Sequence, residues 1–300
     1  MPARVLALFG PTAVGKTEVA IALSDLLRAR GERPVAVSAD ALQVYRGLEI
    51  LTGVPQRTQR ARLEHRLISF LPIDARFSVA EYAALAHAEI DGLLAEGRLP
   101  LVVGGTGLYL RAALAELALR PPVAPDVRER WEAELEARGP QALHAHLARA
   151  APWAAATIDP RDRHRIVRSL ELLDQGLLEP AQGPNRLWTT DTRHPTQIVG
   201  LVRERDELYA RIDARVDAMV AAGAVDEVRR AHAAGASQTA RVALGFDELL
   251  TGDVEAMKRR TRNFARRQLT WMRKLPDITV VDIAGRTPEE VAADIDSAPA

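Results

Sequence analysis

Three hundred residues with 47% apolar and 27% charged side chains make a chain long enough to bury a sizeable core without a covalent staple. The absence of cysteine excludes a disulfide framework, a thiolate metal site, an iron–sulfur cluster and a cysteine nucleophile, and it fits a reducing compartment. Forty basic residues balance 40 acidic ones, which on its face argues against a polyanionic partner; with no signal-like N-terminus and no apolar run of membrane-spanning length, the expectation is a cytoplasmic protein with no membrane attachment.

Residues 4–9, RVLALF, are a short apolar run suited to a buried parallel strand. GPTAVGKT follows and fits the phosphate-loop pattern, with Gly10, then Pro11, Thr12, Ala13 and Val14, then Gly15, Lys16 and Thr17. In residues 18–30, Val19, Leu23, Leu26 and Leu27 lie on one helical stripe, and Gly31 supplies a stop. Strand, loop and helix in that order are the setting the motif requires. Lys16 stands out further because 37 of the 40 basic residues are arginines, the other lysines being Lys258 and Lys274. Gly10 and Gly15 let backbone N–H groups curl around an anionic diphosphate at the helix N-terminus. Lys16 adds a point charge, and the Thr17 hydroxyl can ligate Mg2+.

PVAVSAD at 34–40 is the next strand, with Asp40 at the carboxyl end where ligands collect in such sheets. A carboxylate there can touch Mg2+ indirectly, act as a base, or cap the turn that follows. LPLVVGG at 99–105 is a further strand, but it ends in glycines and lacks the acid that holds Mg2+ in ATPases. Strands and helices alternate through residue 113. This predicts an α/β fold, a P-loop NTPase-like core with a parallel sheet flanked by helices.

Pro121, Pro122 and Pro125 break the alternation. Residues 126–180 read as helices, most clearly from Arg161 to Leu173, and LEPAQGPNRL at 178–187 reads as an exposed linker. HPTQIVGLVRE at 194–204 returns to a strand, long helices follow, ITVVDI at 278–283 makes a last strand, and residues 284–300 read as a terminal helix and tail. Residues 258–274, KRRTRNFARRQLTWMRK, hold eight basic residues and no acid, so they carry +8 against −8 for the other 283 residues. Phe264 and Trp271 sit seven apart among them, giving one helix an apolar anchor and a cationic flank for a phosphate backbone. The zero net charge is therefore an average and no evidence against a nucleic-acid partner.

GPTAVGKT at 10–17, SADALQVYRG at 38–47 and LVVGGTGLYLRA at 101–112 resemble the tRNA dimethylallyltransferases, also called isopentenyl-diphosphate:tRNA transferases. The likeness continues in order through DPRDRHRIVRSLELL at 159–173, RERDELYARIDARVDAMVAAGAVDEV at 203–228 and TRNFARRQLTWMRK at 261–274. The resemblance implies transfer of a dimethylallyl group from dimethylallyl diphosphate to N6 of the adenosine 3′ of a tRNA anticodon, with Mg2+ as cofactor at Thr17. An exocyclic amine is a poor nucleophile because its lone pair is delocalised into the ring, so it needs a base, and the family motif implies Asp40 in that role. No γ-phosphate is hydrolysed in such a reaction, which explains the missing second acid.

By the same resemblance Thr106 lies near the reacting groups, although a helix cap is an equally natural use of it, and Arg211 reaches the diphosphate. Contact with the anticodon stem-loop of tRNA is implied for Asp40, Ala41, Leu42, Gln43 and Thr106, for Arg128, Arg163, His164 and Arg165, and for Arg266, Arg267, Gln268, Trp271 and Arg273. Gln43 could instead be a buried amide with local partners, and Arg128 part of a plain helix start. The family organisation implies a first part of the core at 1–120, a helical tRNA-binding insertion at 121–190, and completion of the core at 191–300, in a monomer. Ala41 stands where the family has serine, Val54 where it has lysine in Gly-Thr-Ala-Lys-Pro, Arg66 where paired histidines are common, and Asp247 in place of a lysine. These departures bear on tRNA contact and donor affinity. The loop alone would also suit a small-molecule kinase, a prenyltransferase of free nucleotides, or an RNA-binding protein with a vestigial nucleotide site.

Overall fold

Val5–Phe9 forms β1, and every one of its residues is buried, as the pattern of a strand covered on both faces requires. In the computed structural model, which describes residues 4–120, 122–180 and 186–297, β1 lies inside a six-stranded parallel sheet. After the loop come α1 (Lys16–Ala29), β2 (Pro34–Ala39), the short α2 (Glu49–Thr52) and α3 (Arg57–Arg62), and the two-residue β3 (His65–Arg66). Next are α4 (Val79–Ala95), β4 (Leu99–Gly104) and α5 (Gly107–Leu114). Three helices follow, α6 (Pro125–Ala150), α7 (Pro152–Ala155) and α8 (Arg163–Asp174), then a 3₁₀ turn at Arg186–Trp188 and β5 (Thr196–Val202). The chain ends with α9 (Arg205–Ala221), α10 (Ala224–Ala233), α11 (Gln238–Arg241), α12 (Phe246–Thr251), α13 (Val254–Met272), β6 (Ile278–Asp282) and α14 (Pro288–Ser297). The expected parallel sheet flanked by helices is what the chain forms. No helix among the described residues is long and apolar enough to cross a membrane.

Strand order is β3-β2-β4-β1-β5-β6. All five pairings are parallel. The step from β1 across β4 to β2 makes the crevice outside the strand ends in which ligands collect in doubly wound sheets. β3 was not visible in the sequence: it consists of His65 and Arg66 paired with Ala36 and Val37, too short for any alternation to show. Residues 1–118 with 186–300 form one compact unit, and residues 119–185 form another.

In the second unit, α6 is broken where Gly139 takes φ 78° before Pro140, and it packs with α8 around Trp131, Leu143, Leu147, Ile166 and Leu170. Asp162 caps α8 by accepting from the Arg165 N–H at 3.1 Å, so this helix starts at Arg163 and not at Arg161. Pro121, residues 181–185 of the stretch read as a linker, and residues 298–300 of the tail lie outside the described residues.

The register at the carboxyl edge positions the site. Gly104 is paired with Phe9 on one side and with Ala39 on the other, so Gly10, Asp40 and Gly105 leave the sheet at one level. A Cβ on Gly104 would overlap the Ala39 carbonyl oxygen and stand 2.7 Å from the Ala39 side chain. Because the obstacle is backbone, it cannot swing aside as a side-chain tip would. Gly104→Ala is expected to force β2 and β4 apart at their ends and to destabilise the fold by about 1–3 kcal/mol, read as a lowered midpoint in urea unfolding with unchanged slope.

Candidate active site

The phosphate loop is built by two residues in left-handed conformations, Ala13 at φ 63° and Gly15 at φ 116°. Gly15 is the N-cap of α1 and supplies no side chain. The N–H groups of Lys16 and Thr17 are in the first helical turn, where no intrahelical acceptor exists, so they face whatever occupies the cradle. Lys16 Nζ donates to the Gly10 and Pro11 carbonyls, each at 2.9 Å. Burial, assisted by Arg215, pulls the Lys16 ammonium down to about 8, against Asp40 and Glu18, which hold it up. From outside, the loop is braced by three distant side chains: Gln268 Oε1 accepts from the Thr12 N–H at 2.8 Å, Arg211 Nε donates to the Ala13 carbonyl at 3.0 Å, and Arg203 Nε donates to the Val14 carbonyl at 3.4 Å.

Asp40 opens a turn as soon as β2 ends. Its Oδ1 accepts from the Leu42 N–H at 2.9 Å and from the Gln43 N–H at 3.4 Å. Both bonds fall on one oxygen, so the capping role and a chemical role are compatible, the latter resting on Oδ2. Ala41 and Leu42 are half-buried within this turn. Gln43 is held locally: its Oε1 accepts from Ser38 Oγ at 2.9 Å and its Nε2 donates to the Gly53 carbonyl at 3.2 Å. Thr106 is the N-cap residue of α5 by position, but its hydroxyl makes no capping bond. That corrects the expected use as a cap and leaves the hydroxyl available to a ligand. Lys16, Thr17, Ser38, Asp40, Gln43 and His65, with Ala20, Ala36, Pro55, Val103 and Gly104, line one cleft of about 430 Å³ including its mouth.

Arg211 is exposed, and its guanidinium braces the loop from outside through the Ala13 carbonyl. Arg215, one helical turn further along α9, is the cation that sequence reasoning missed. Its Nη2 occupies the space where a Cβ on Gly53 would stand, and Gly53 is at φ 64°. Burial pushes the Arg215 guanidinium below its usual range, while Glu18 and Asp40 hold it up, and Lys16 feels its charge. The i, i+4 spacing from Arg211 was the available signal.

The basic segment divides in two. Lys258 pairs with Asp217 at 2.8 Å, Arg259 with Asp253 at 4.0 Å, Arg262 with Asp213 at 2.5 Å, and Arg260 with Glu248. So half of the eight charges are neutralised by carboxylates from elsewhere in the chain. Toward the C-terminal end, Arg266, Arg267 and Arg273 are exposed; Arg266 bonds Asn263, and Arg267 lies 5.5 Å from the centre of the Phe264 ring. Trp271 packs against Gly107 and forms a tilted pair with Trp188 at 4.7 Å, with Lys274 Nζ 5.3 Å from the Trp188 ring centre. Gln268 corrects the expectation of direct RNA contact: it is 4% exposed, with both amide ends bonded inside the protein.

In the helical unit, His164 is exposed, as are Arg163 and Arg165, which pair with Glu136 and with Asp162. Arg128 is tied to Glu132 at 3.0 Å and to the fully buried Glu171 at 3.5 Å.

The family model for IPP transferases matches residues 43–275. That span begins beyond the phosphate loop and Asp40, so the match does not depend on them. The chain is 43% identical over 287 residues to the tRNA dimethylallyltransferase of Kineococcus radiotolerans, covering 91% of this chain and 89% of that one. It is similar to the crystal structure of the full-length tRNA isopentenylpyrophosphate transferase of Bacillus halodurans, with TM-score 0.69 and 33% identity over 98% of this chain and 94% of that one. The fold is also shared with a eukaryotic dimethylallyltransferase acting on tRNA, at TM-score 0.72 and 22% identity, over 94% of this chain and 74% of that one.

A buried ammonium with a pKa near 8 titrates within reach of experiment. The protonated form binds an anion, so affinity is full below that pKa and is lost as pH rises through it. For a simple alkyl diphosphate, whose own charge is constant above neutrality, affinity is expected to fall by up to about tenfold per pH unit above pH 8. Calorimetric titrations should show that slope in the native protein and a flat profile in Lys16→Met.

Proposed function

Since the chain belongs to the IPP transferase family, we propose that it transfers a dimethylallyl group from dimethylallyl diphosphate to N6 of the adenosine 3′ of the anticodon in tRNA. The observation that carries this reading is the meeting, at one edge of the sheet, of a phosphate loop and a carboxylate whose second oxygen has no hydrogen-bond partner among the described residues. Attack of N6 on C1 of the donor forms the C–N bond and breaks the C1–O bond, and the diphosphate departs with the electron pair. Charge therefore grows on the leaving group at the loop amides, Lys16 and Arg215, where fixed cations and N–H dipoles stabilise the transition state more than the ground state. Asp40 Oδ2 takes the proton that N6 must lose, which lets the amine's lone pair become available as the bond forms. The Thr106 hydroxyl would orient either the amine or the diphosphate.

The donor set fits Mg2+. Thr17 contributes a hydroxyl and Asp40 a carboxylate to the same cleft, and no group of three or more His, Cys, Asp or Glu residues is gathered as a protein cage among the described residues. Mg2+ keeps several waters and takes one or two protein ligands plus phosphate oxygens, so a sparse protein set suits it. When bound it would neutralise charge on the departing diphosphate. For tRNA, the exposed arginines Arg266, Arg267 and Arg273 with Trp271 offer phosphate contacts beside an aromatic surface. The helical unit of residues 119–185 would be the tRNA-binding insertion, with Arg128, Arg163, His164 and Arg165 as its candidates. Ion pairing within that unit makes its arginines weaker candidates than those of α13.

Incubation of the protein with Mg2+, dimethylallyl diphosphate and unmodified tRNA should add one five-carbon unit to the adenosine next to the anticodon, detected by nucleoside mass spectrometry. Nucleotide hydrolysis or phosphoryl transfer without that product would mean a kinase-type enzyme. Asp40→Asn keeps an acceptor for the Leu42 N–H and removes the base, so kcat should drop roughly 10²–10⁴-fold while tRNA affinity stays within about twofold. Arg267→Ala should weaken tRNA binding and lower the magnitude of the slope of log K against log salt by about one, with donor KM unchanged.

A further inference from the structure

We propose that Gln268 is a positioning residue for the transfer reaction, setting the distance between the phosphate loop and Thr106; the inference rests on the function proposed above. Gln268 is buried on α13, and its one amide spans two loops far away in sequence. Oε1 accepts from the Thr12 N–H at 2.8 Å, and Nε2 donates to the Gly105 carbonyl at 2.8 Å. Thr12 belongs to the diphosphate cradle, and Gly105 precedes the Thr106 hydroxyl. The direct backbone link between these two loops is a longer bond, from the Gly10 N–H to the Gly104 carbonyl at 3.3 Å.

A side-chain amide suits this place because it offers a donor and an acceptor at once. A carboxylate could accept from Thr12 but not donate to Gly105, an ammonium could donate but not accept, and an apolar side chain could do neither. In each case a buried backbone group would be left unpaired. The packing shows the same fit: a Cβ on Gly105 would collide with Nε2 and stand 2.9 Å from the Gly10 carbonyl oxygen. One turn further along α13, Trp271 fills the space over Gly107. Thr106 is thus bracketed by two residues of the helix that also presents Arg266 and Arg267 to solvent. Gln268 touches neither donor nor acceptor in this account; it acts by holding the groups that do. A displacement of about 1 Å between reacting groups costs on the order of a hundredfold in rate.

Gln268→Met removes both bonds at nearly constant volume, and Gln268→Glu removes one. In Gln268→Met, kcat is expected to fall about 10–100-fold and donor KM to rise about tenfold, with tRNA affinity within about twofold and cooperative unfolding retained. In Gln268→Glu, the buried acid regains a donor when protonated. Its activity relative to the native protein should therefore rise as pH is lowered, while the ratio for Gln268→Met stays flat. A purely structural role would give no such pH signature. Binding of inorganic diphosphate with Mg2+ gives a readout independent of turnover, and it should be about tenfold weaker in Gln268→Met. Native turnover and diphosphate affinity in both variants, or loss confined to tRNA affinity, would overturn the inference. Absence of transfer by the native protein would instead overturn the proposed function, and diphosphate binding would still decide whether the bridge shapes the loop.

Discussion

The candidate site depends on three parallel strands ending level. Gly104 is in register with both Phe9 and Ala39, so the phosphate loop, Asp40 and the Gly105-Thr106 turn all begin at one edge. Parallel register is set by the pairing of whole strands, and slipping one strand by a residue would turn its side chains to the opposite face. It would also move Asp40 out of level with the cradle. The close approach of Gly104 to Ala39 makes that arrangement tight, and it holds the phosphate loop, Asp40 and the Gly105-Thr106 turn at one edge.

Electrostatics then divides the labour. Lys16 and Arg215 are both drawn below their usual ranges by burial. Asp40 and Glu18 act as counter-charges to both cations. An incoming diphosphate would restore the balance that burial disturbs, which favours binding of an anion over a neutral ligand. Gly53 contributes by having no side chain where the Arg215 guanidinium passes.

The fold and the cradle were legible in sequence because their signals are local. An apolar run, a Gly-x4-Gly-Lys-Thr loop and a helical stripe are adjacent, and each constrains the next. Asp40 drew notice by its place at a strand end, and Thr106 by the family resemblance. What could not be seen are relations between distant segments. Arg215 is one of 37 arginines, and only folding puts it beside Lys16. Gln268 sits among arginines in the sequence ARRQLTW and shares their context, but the helix turns it inward while Arg266 and Arg267 face out. The eight charges of 258–274 add up to a uniform basic segment until tertiary pairing shows Lys258, Arg259, Arg260 and Arg262 matched to acids of neighbouring elements. β3 is invisible because two residues carry no period.

A reaction that joins an anionic donor to a polyanionic acceptor brings like charges together, and the chain must hold both without letting either displace the other. The division of its cations would meet that demand. In the proposed reaction the donor would face Lys16 in the cleft that Thr17 and Asp40 also line, with Arg215 near enough for its charge to act on the Lys16 ammonium. The acceptor would meet the exposed arginines toward the end of α13, on the solvent side of the helix whose buried Gln268 bonds the loop. Among the described residues Asp40 is the only carboxylate that lines the cleft, where, as the proposed base, it would receive the proton. Zero net charge is thus compatible with the two separate groups of cations that the proposed reaction would need, one for each substrate.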